Sequence, residues 1–311
     1  MQRKLNELFG IPVTDAAVVD VRENVVGPVP QTDPNYVFDV TFIKKLLMWT
    51  GPKTPRKNLM LVGDAGVGKT SVVLEYAGRM GIPVWGVSCS GKTRFEHLVG
   101  SMSLVAGNTQ FVDGPLLAAM RSGGIFLANE ISRMDPGEQM RLVDVLDRRA
   151  RLTIGDTGEV VEPHPDFRFA ATGNSGGFGD STGAYPGERV GSYAFADRFM
   201  KLHVKPMSEE MELRLLERVA PALSESYRKG MVKLATGVRS AFVGAGGCCR
   251  ITITPRSLID WAMLACEYRR MSGIDPLRES LLDIVVNGAP KDDQDVVMEV
   301  FDAWMKETGT A

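Results

Sequence analysis

The sequence predicts an α/β fold: a parallel sheet covered by helices, followed by a smaller, all-helical region. Three observations carry this expectation. Short apolar runs alternate with helix-patterned stretches between residues 57 and 174. A glycine-rich stretch, "GDAGVGKT" (63–70), sits between one such run and one such helix. After Pro206 the strand-like runs stop and only helical spacing continues. Strands alternating with helices argue a parallel sheet buried on both faces.

The elements follow in order. Residues 1–35 hold Pro12, Pro28, Pro30 and Pro34 among short apolar runs and read as an extended arm or edge strand. "VTFIKKLLMWTG" (40–51) has helical spacing and stops at Gly51. Strands are expected at 57–62, 83–88, 124–129 and 167–174, with helices at 69–81, 114–123 and 135–150. The last of these helices has a strong start. Asp135 can cap it, Pro136 suits its first position and Glu138 completes a capping box. Two segments, 101–112 and 150–163, read as β-hairpins turning at Gly107-Asn108 and at Asp156-Thr157-Gly158. Helices then fall at roughly 208–219, 221–243, 255–271, 276–287 and 292–306. The expected organisation is an N-terminal arm (1–35), an α/β core (36–206) and a helical domain (207–311).

Composition narrows the function classes. With 311 residues, 44% hydrophobic and 24% charged, the chain can bury a sizeable core. Its net charge of −2 does not recommend a nucleic acid or an anionic membrane as partner, although it leaves room for a local basic patch. No apolar run approaches the ~20 residues of a membrane span, and the start "MQRKLNELFGIPV" lacks a signal peptide's apolar centre. Cys89, Cys248, Cys249 and Cys266 form no CxxC pair; they read as free thiols in a reducing cytoplasm, and the vicinal pair as inert packing. His97, His164 and His203 have no ligand-like spacing. "GVSCSG" (86–91) only partly matches a serine-hydrolase elbow and reads better as a turn at a strand end.

The chemistry concentrates in five places. "GDAGVGKT" fits the phosphate-binding pattern G-x-x-x-x-G-K-[ST]. Gly63, Gly66 and Gly68 let the backbone of Asp64, Ala65 and Val67 wrap phosphates, and the start of the helix at Ser71 favours anions. Lys69 supplies charge to the outer phosphates, and Thr70 can bind Mg²⁺. In phosphate-loop ATPases a neighbouring strand ends in an acid that holds Mg²⁺, often followed by a catalytic Glu. "IFLANE" has that form, with Asn129 in the metal position and Glu130 placed to polarise water; the alternative is a capping or ion-paired Glu at a strand end. "ATGN" (171–174) ends a strand at Asn174, which can orient the same water or simply begin a turn. "FADRFM" (195–200) carries Arg198, either a finger for a neighbour's ATP or a surface residue beside Asp197. "TPRSLIDWA" (254–262) puts Arg256 inside a helix N-terminus, where a cation needs an anionic partner, a nucleotide phosphate or a local acid.

These five motifs in this order, with the helical tail, resemble the AAA+ ATPases. The two hairpins and "FVDGPLLAAMRSGGIFLANEI" (111–131) point to the MoxR-like branch. "DPNYVFD" (33–39) and "LTIGDTGEVVEPHPDFRFAATGNSGGFGDSTGAYPG" (152–187) look like the ATPase subunit of aerobic cobaltochelatases. The resemblance covers about residues 33–262. It implies ATP and Mg²⁺ as cofactors, Lys69 and Thr70 at phosphate and metal, Glu130 in catalysis, Asn174 as a sensor, Arg198 as the finger and Arg256 as the sensor of a helical lid. It also implies a homo-oligomeric ring, commonly a hexamer, acting on a protein partner that often has a von Willebrand factor A domain. Cobalt insertion into a tetrapyrrole is the most specific form of that reading. Asn129 departs from the family's usual Asp and brings no charge, which keeps open a nucleotide-binding switch with weak hydrolysis. A translocase on nucleic acid would need basic pore loops, and the hairpin tips "AGNT" and "GDTG" carry no Lys or Arg.

Overall fold

In the computed structural model, residues 1–13, 17–176, 179, 187, 189–242 and 249–307 are described. Contacts divide the chain into two units. One holds Met1–Gly63 and most of Lys69–Val204; the other holds Asp64–Gly68 and Lys205–Ala311.

The first unit is built on five parallel strands: β1 (Asn58–Val62), β2 (Val84–Ser88), β3 (Ile125–Asn129), β4 (Arg168–Gly173) and β5 (Met200–His203). Their order across the sheet is β5-β1-β4-β3-β2. Leu59, Leu61, Ile125, Phe126, Ala128, Phe169 and Ala170 are all buried, because helices cover both faces of a parallel sheet. The register aligns the C-terminal strand ends: Val62 lies beside Gly173, and Asn129 beside Ser88. Everything that follows the strands therefore gathers at one edge.

Local chemistry explains most element boundaries. Helix Val40–Thr50 starts because Asp39 accepts from the Phe42 N–H at 2.7 Å. Helix Lys69–Met80 anchors the "DPNYVFD" stretch. Glu75 accepts from the Asp33 N–H at 2.9 Å, Arg79 donates to the Asp33 carbonyl at 2.8 Å, and the Arg79 guanidinium sits over the Phe38 ring. Near the N-terminus, strand Gln2–Lys4 pairs antiparallel with Val18–Asp20, and the helix between them, Leu5–Phe9, sends Phe9 against the Tyr76 ring.

Three expectations need correction. The helix expected over 135–150 is two pieces, Pro136–Met140 and Val143–Leu146. It ends early because buried Asn58 donates to the Leu146 carbonyl at 2.6 Å, replacing a helical partner. The first hairpin, Gly100–Val105 with Asn108–Asp113, turns at Ala106-Gly107, one residue before the expected place. Both turn residues have positive φ, +50° and +82°, as a tight two-residue hairpin demands. The helix expected from 221 begins at Glu225, because the Ser224 hydroxyl caps it by accepting from the Tyr227 N–H. The second hairpin pairs Leu152–Thr153 with Val160–Val161 around the expected turn. Cys248 lies outside the described residues.

Arg168, the first residue of β4, is 3% exposed and has no carboxylate in ion-pair contact among the described residues. Its guanidinium instead donates to the carbonyls of Trp49, Thr50, Gly51, Pro165 and Phe167 at 2.7–3.1 Å. It thus ties the end of helix Val40–Thr50 to the sheet. Arg168→Met should leave those carbonyls without a partner and cost about 3–5 kcal/mol. We expect the first thermal unfolding transition to fall by about 10 °C; a change under about 2 °C would show that water replaces the guanidinium freely.

The second unit packs helices Glu209–Val219, Glu225–Ala241, Pro255–Tyr268, Pro276–Leu281 and Lys291–Glu307 around Leu216, Met231, Leu258, Trp261 and Phe301. A π-helical turn, Leu282–Val286, continues the fourth helix. Gly230 lets two helices meet, since a Cβ there would lie 2.0 Å from the Trp304 ring.

Candidate nucleotide-binding site

The loop Gly63–Thr70 joins β1 to helix Lys69–Met80. Gly66 and Gly68 adopt φ of +78° and +89°, which residues with side chains rarely do. A Cβ added at Gly68 would meet nothing within 4 Å, so the loop is open at that position. Asp64, Ala65 and Gly66 are exposed, Val67 is buried, and Gly68, Thr70 and Ser71 are half-buried at the helix start. A helix start presents backbone N–H groups and the positive end of the helix dipole to an anion.

Two hydrogen bonds join this loop to the neighbouring strands. Lys69 Nζ donates to Asn174 Oδ1 at 2.8 Å and to the Gly63 carbonyl at 2.7 Å. Thr70 Oγ1 donates to Asn129 Oδ1 at 2.8 Å. Asn174 follows β4 and Asn129 ends β3, so the strand order β1-β4-β3 brings the three motifs to one place. Among the described residues no group of three or more His, Cys, Asp and Glu side chains is arranged to hold a metal. A Mg²⁺ ion would rely on Thr70, on phosphate oxygens and on water held by Asn129. The paired neutral oxygens of Thr70 and Asn129 fit that role.

Glu130 sits beside this group in a left-handed backbone conformation, φ +54°. Its N–H donates to Thr172 Oγ1 at 3.0 Å, which fixes the turn away from the sheet. Its carboxylate is half-exposed and pairs with Arg133 Nε at 2.9 Å. The one-turn helix Ile131–Arg133 that carries Arg133 is clamped by Gln139. Gln139 is 2% exposed and donates to the carbonyls of Ile131 and Met134 at 2.9 and 3.0 Å. Sequence reasoning singled out neither Arg133 nor Gln139 nor Thr172; the spacing of Glu130 and Arg133 was the available signal. Cys89 also lies nearby, but burial, and then the Glu130 charge, push its thiol up to about 12, so it stays protonated.

Arg198 is not brought to this place, whereas the helix that carries Arg256 starts beside the loop: a Cβ added at Gly66 would meet Thr254 Cγ2 at 2.4 Å. Arg198 follows the short helix Tyr193–Ala196, before β5, and its carbonyl accepts from Asn58 at the start of β1. It therefore stands at the N-terminal edge of the sheet, opposite the phosphate loop. Its guanidinium faces Asp147 at 3.5 Å rather than Asp197, which pairs with Arg56. Arg256 belongs to the helical unit, exposed in the first turn of helix Pro255–Tyr268, which Thr254 caps. No acid pairs with it among the described residues.

Residues 58–199 match the AAA domain of the dynein-related subfamily. The aerobic cobaltochelatase subunit CobS of Sinorhizobium sp is 29% identical over 268 residues, 83% of this chain and 78% of that one. Over residues 58–199 the chain is an AAA domain, and it is similar to AAA+ ATPases of the MoxR-like kind. The NorQ protein of Paracoccus denitrificans is 27% identical over 224 residues, 71% of this chain and 80% of that protein. Midasin of Dictyostelium discoideum is 30% identical over 251 residues, but these are only 4% of its length. A RuvB structure from Thermotoga maritima, 13% identical, superposes with a TM-score of 0.53 over 91% of this chain and 86% of that one, a likeness of fold alone. Among the described residues, no helix is long and apolar enough to cross a membrane.

Lys69→Ala should remove the positive charge that the loop offers to phosphate. We expect ATP affinity, measured by calorimetry, to fall by about 30-fold or more, since charge-assisted bonds are worth roughly 2–3 kcal/mol. Near-normal affinity in that variant would contradict the site.

Proposed function

We propose that this chain hydrolyses ATP at the β1-β4-β3 edge and works as a ring of identical subunits, six by analogy, that remodels a protein partner. The observation that carries the reading is the pair of contacts Lys69–Asn174 and Thr70–Asn129. They gather a cation, a hydroxyl and two amides beside the loop, which supports binding of a nucleotide's terminal phosphates there. Gly63, Asp64, Ala65, Gly66, Val67, Gly68 and Ser71 supply the backbone of that cradle.

The residues have distinct tasks. Lys69 exchanges Asn174 and the Gly63 carbonyl for phosphate oxygens. Freed from Lys69, Asn174 can accept from or donate to the water next to the phosphate. Glu130 polarises that water through the carboxylate oxygen not held by Arg133. Bound Mg²⁺ would neutralise phosphate charge, with Thr70 and Asn129 as its nearest protein groups. Arg256 would sense the phosphates from the helical unit.

Arg198 supports the ring. Five-residue strands are about 15 Å long, and Arg198 stands at their far end from its own loop. A phosphate reached by Arg198 belongs to another copy, and head-to-tail contacts that close make a ring.

Cobalt insertion into a tetrapyrrole is the finer form of this reading, supported by the likeness to a cobaltochelatase subunit; a partner with a von Willebrand factor A domain is what the family resemblance implies. Purified protein should hydrolyse ATP faster when a large chelatase subunit or such a partner is added; stimulation by single-stranded DNA instead would favour a translocase. A nucleotide-binding switch is favoured by two observations: Asn129 is neutral, and Glu130 is paired with Arg133.

Asn129 gives its own test. Its neutral oxygen should hold the metal's water by roughly 1 kcal/mol less than a carboxylate would. Asn129→Asp should therefore lower the Mg²⁺ concentration for half-maximal ATPase by about fivefold. An unchanged Mg²⁺ dependence would mean that Asn129 does not serve the metal.

A further inference from the structure

A cleft of about 1360 Å³ opens at the N-terminal edge of the sheet, where Asn58, Phe167 and Arg198 lie. Six cationic side chains line it: Arg56, Lys57, Arg148, Arg149, Arg151 and Arg198. Only four carboxylates do so: Asp144, Asp147, Glu162 and Asp197. The lining thus carries a surplus of two positive charges (6 − 4) in a chain whose net charge is −2.

The pairing is more lopsided than the count. Asp197 is taken by Arg56 at 3.9 Å and Asp147 by Arg198 at 3.5 Å. Lys57 donates to the Pro165 carbonyl at 2.8 Å. Among the described residues, Arg148, Arg149 and Arg151 have no carboxylate within ion-pair distance, and all three are exposed. Arg198 adds an unmet need, since its Nε is buried with no acceptor among the described residues. Three guanidinium groups within four residues repel one another unless an anion joins them. Their planar forks match phosphate oxygens two at a time.

We propose that Arg148, Arg149 and Arg151 act with Arg198 as a cationic receptacle for the triphosphate of ATP bound to a second copy of this chain. The proposal rests on the shared-site reading above and adds three residues to it. The chain's own nucleotide is out of reach, because the loop that would hold it follows the opposite ends of the same strands. On docking, Arg198 exchanges its long contact with Asp147 for phosphate, and the three unpaired arginines share the charge that one finger alone would meet.

The test uses the full chain with Arg148→Ala, Arg149→Ala and Arg151→Ala combined. ATP affinity should stay within about twofold, because the variant's own loop is intact. Turnover should fall about tenfold or more, though less than the loss of the finger itself costs. Mixing with Lys69→Ala subunits should restore turnover, because those subunits bring the arginines but no ATP. Unchanged turnover overturns the proposal. So does a loss that Lys69→Ala subunits do not restore while Arg198→Ala run alongside is restored, which leaves the shared site standing and makes the three arginines structural. Failure of both mixtures removes the shared site and the proposal with it. Weakened binding of a single-stranded oligonucleotide with ATPase intact also overturns it and assigns the cleft to nucleic acid.

Discussion

Glu130→Gln is expected to bind ATP within about twofold of the parent and to hydrolyse it on the order of 10²–10⁴ times more slowly. The amide keeps the size of the side chain and a hydrogen-bonding oxygen, but it cannot take up a proton. The surroundings make this a demanding experiment, because Arg133 already holds one carboxylate oxygen at 2.9 Å. An exposed ion pair of this kind is worth about 0–1 kcal/mol, too little to keep Glu130 from a phosphate-bound water. The variant should also accumulate assembled, ATP-loaded protein, seen by mass at saturating ATP. Turnover within about threefold of the parent would make Glu130 a structural partner of Arg133 and favour the switch.

Arg198→Ala should reduce turnover at saturating ATP by about 10³-fold or more, the range found when a finger leaves a phosphoryl-transfer site. Two things separate this from a loss of fold. Asn58 holds the Arg198 carbonyl, which the substitution leaves in place. Nucleotide affinity of the isolated subunit should not change, since the arginine lies at the far edge of the sheet. A loss of affinity equal to the loss of turnover would place Arg198 in its own subunit's folding rather than at a shared site.

How much of this was legible beforehand follows from the range of each interaction. Four of the sheet's five strands and the phosphate loop could be read because apolar runs and a glycine pattern are local signals; β5, exposed at Lys201 and His203, shows no apolar run and was missed. The strand order could not, although it is what brings Asn174 to Lys69 and Asn129 to Thr70. The early end of the helix at Leu146 depends on Asn58, 88 residues away. The hairpin turn was misplaced by one residue because Ala106 takes a left-handed conformation that its type does not favour, whereas Asn108 beside it would. Arg168 sits in "FRFAATGN" like any polar interruption of a strand, and its partners Trp49, Thr50 and Gly51 lie more than a hundred residues earlier. The ion pair of Glu130 with Arg133 needs the positive φ at Glu130, which no residue type announces. Arg148, Arg149 and Arg151 are plain in the sequence as charges, but only the fold shows them lining the cleft that also holds Arg198.

The central claim is that one subunit's phosphate loop and another's Arg198 make a single catalytic site. Subunits carrying Arg198→Ala can bind ATP but lack the finger, and subunits carrying Lys69→Ala keep the finger but lack the ATP. Each should be nearly inactive alone. Mixed in equal amounts, with mixed assemblies verified by mass, they should regain a clear fraction of the parent ATPase rate. A rate no higher than the sum of the two separate variants, at every mixing ratio, would contradict the shared site.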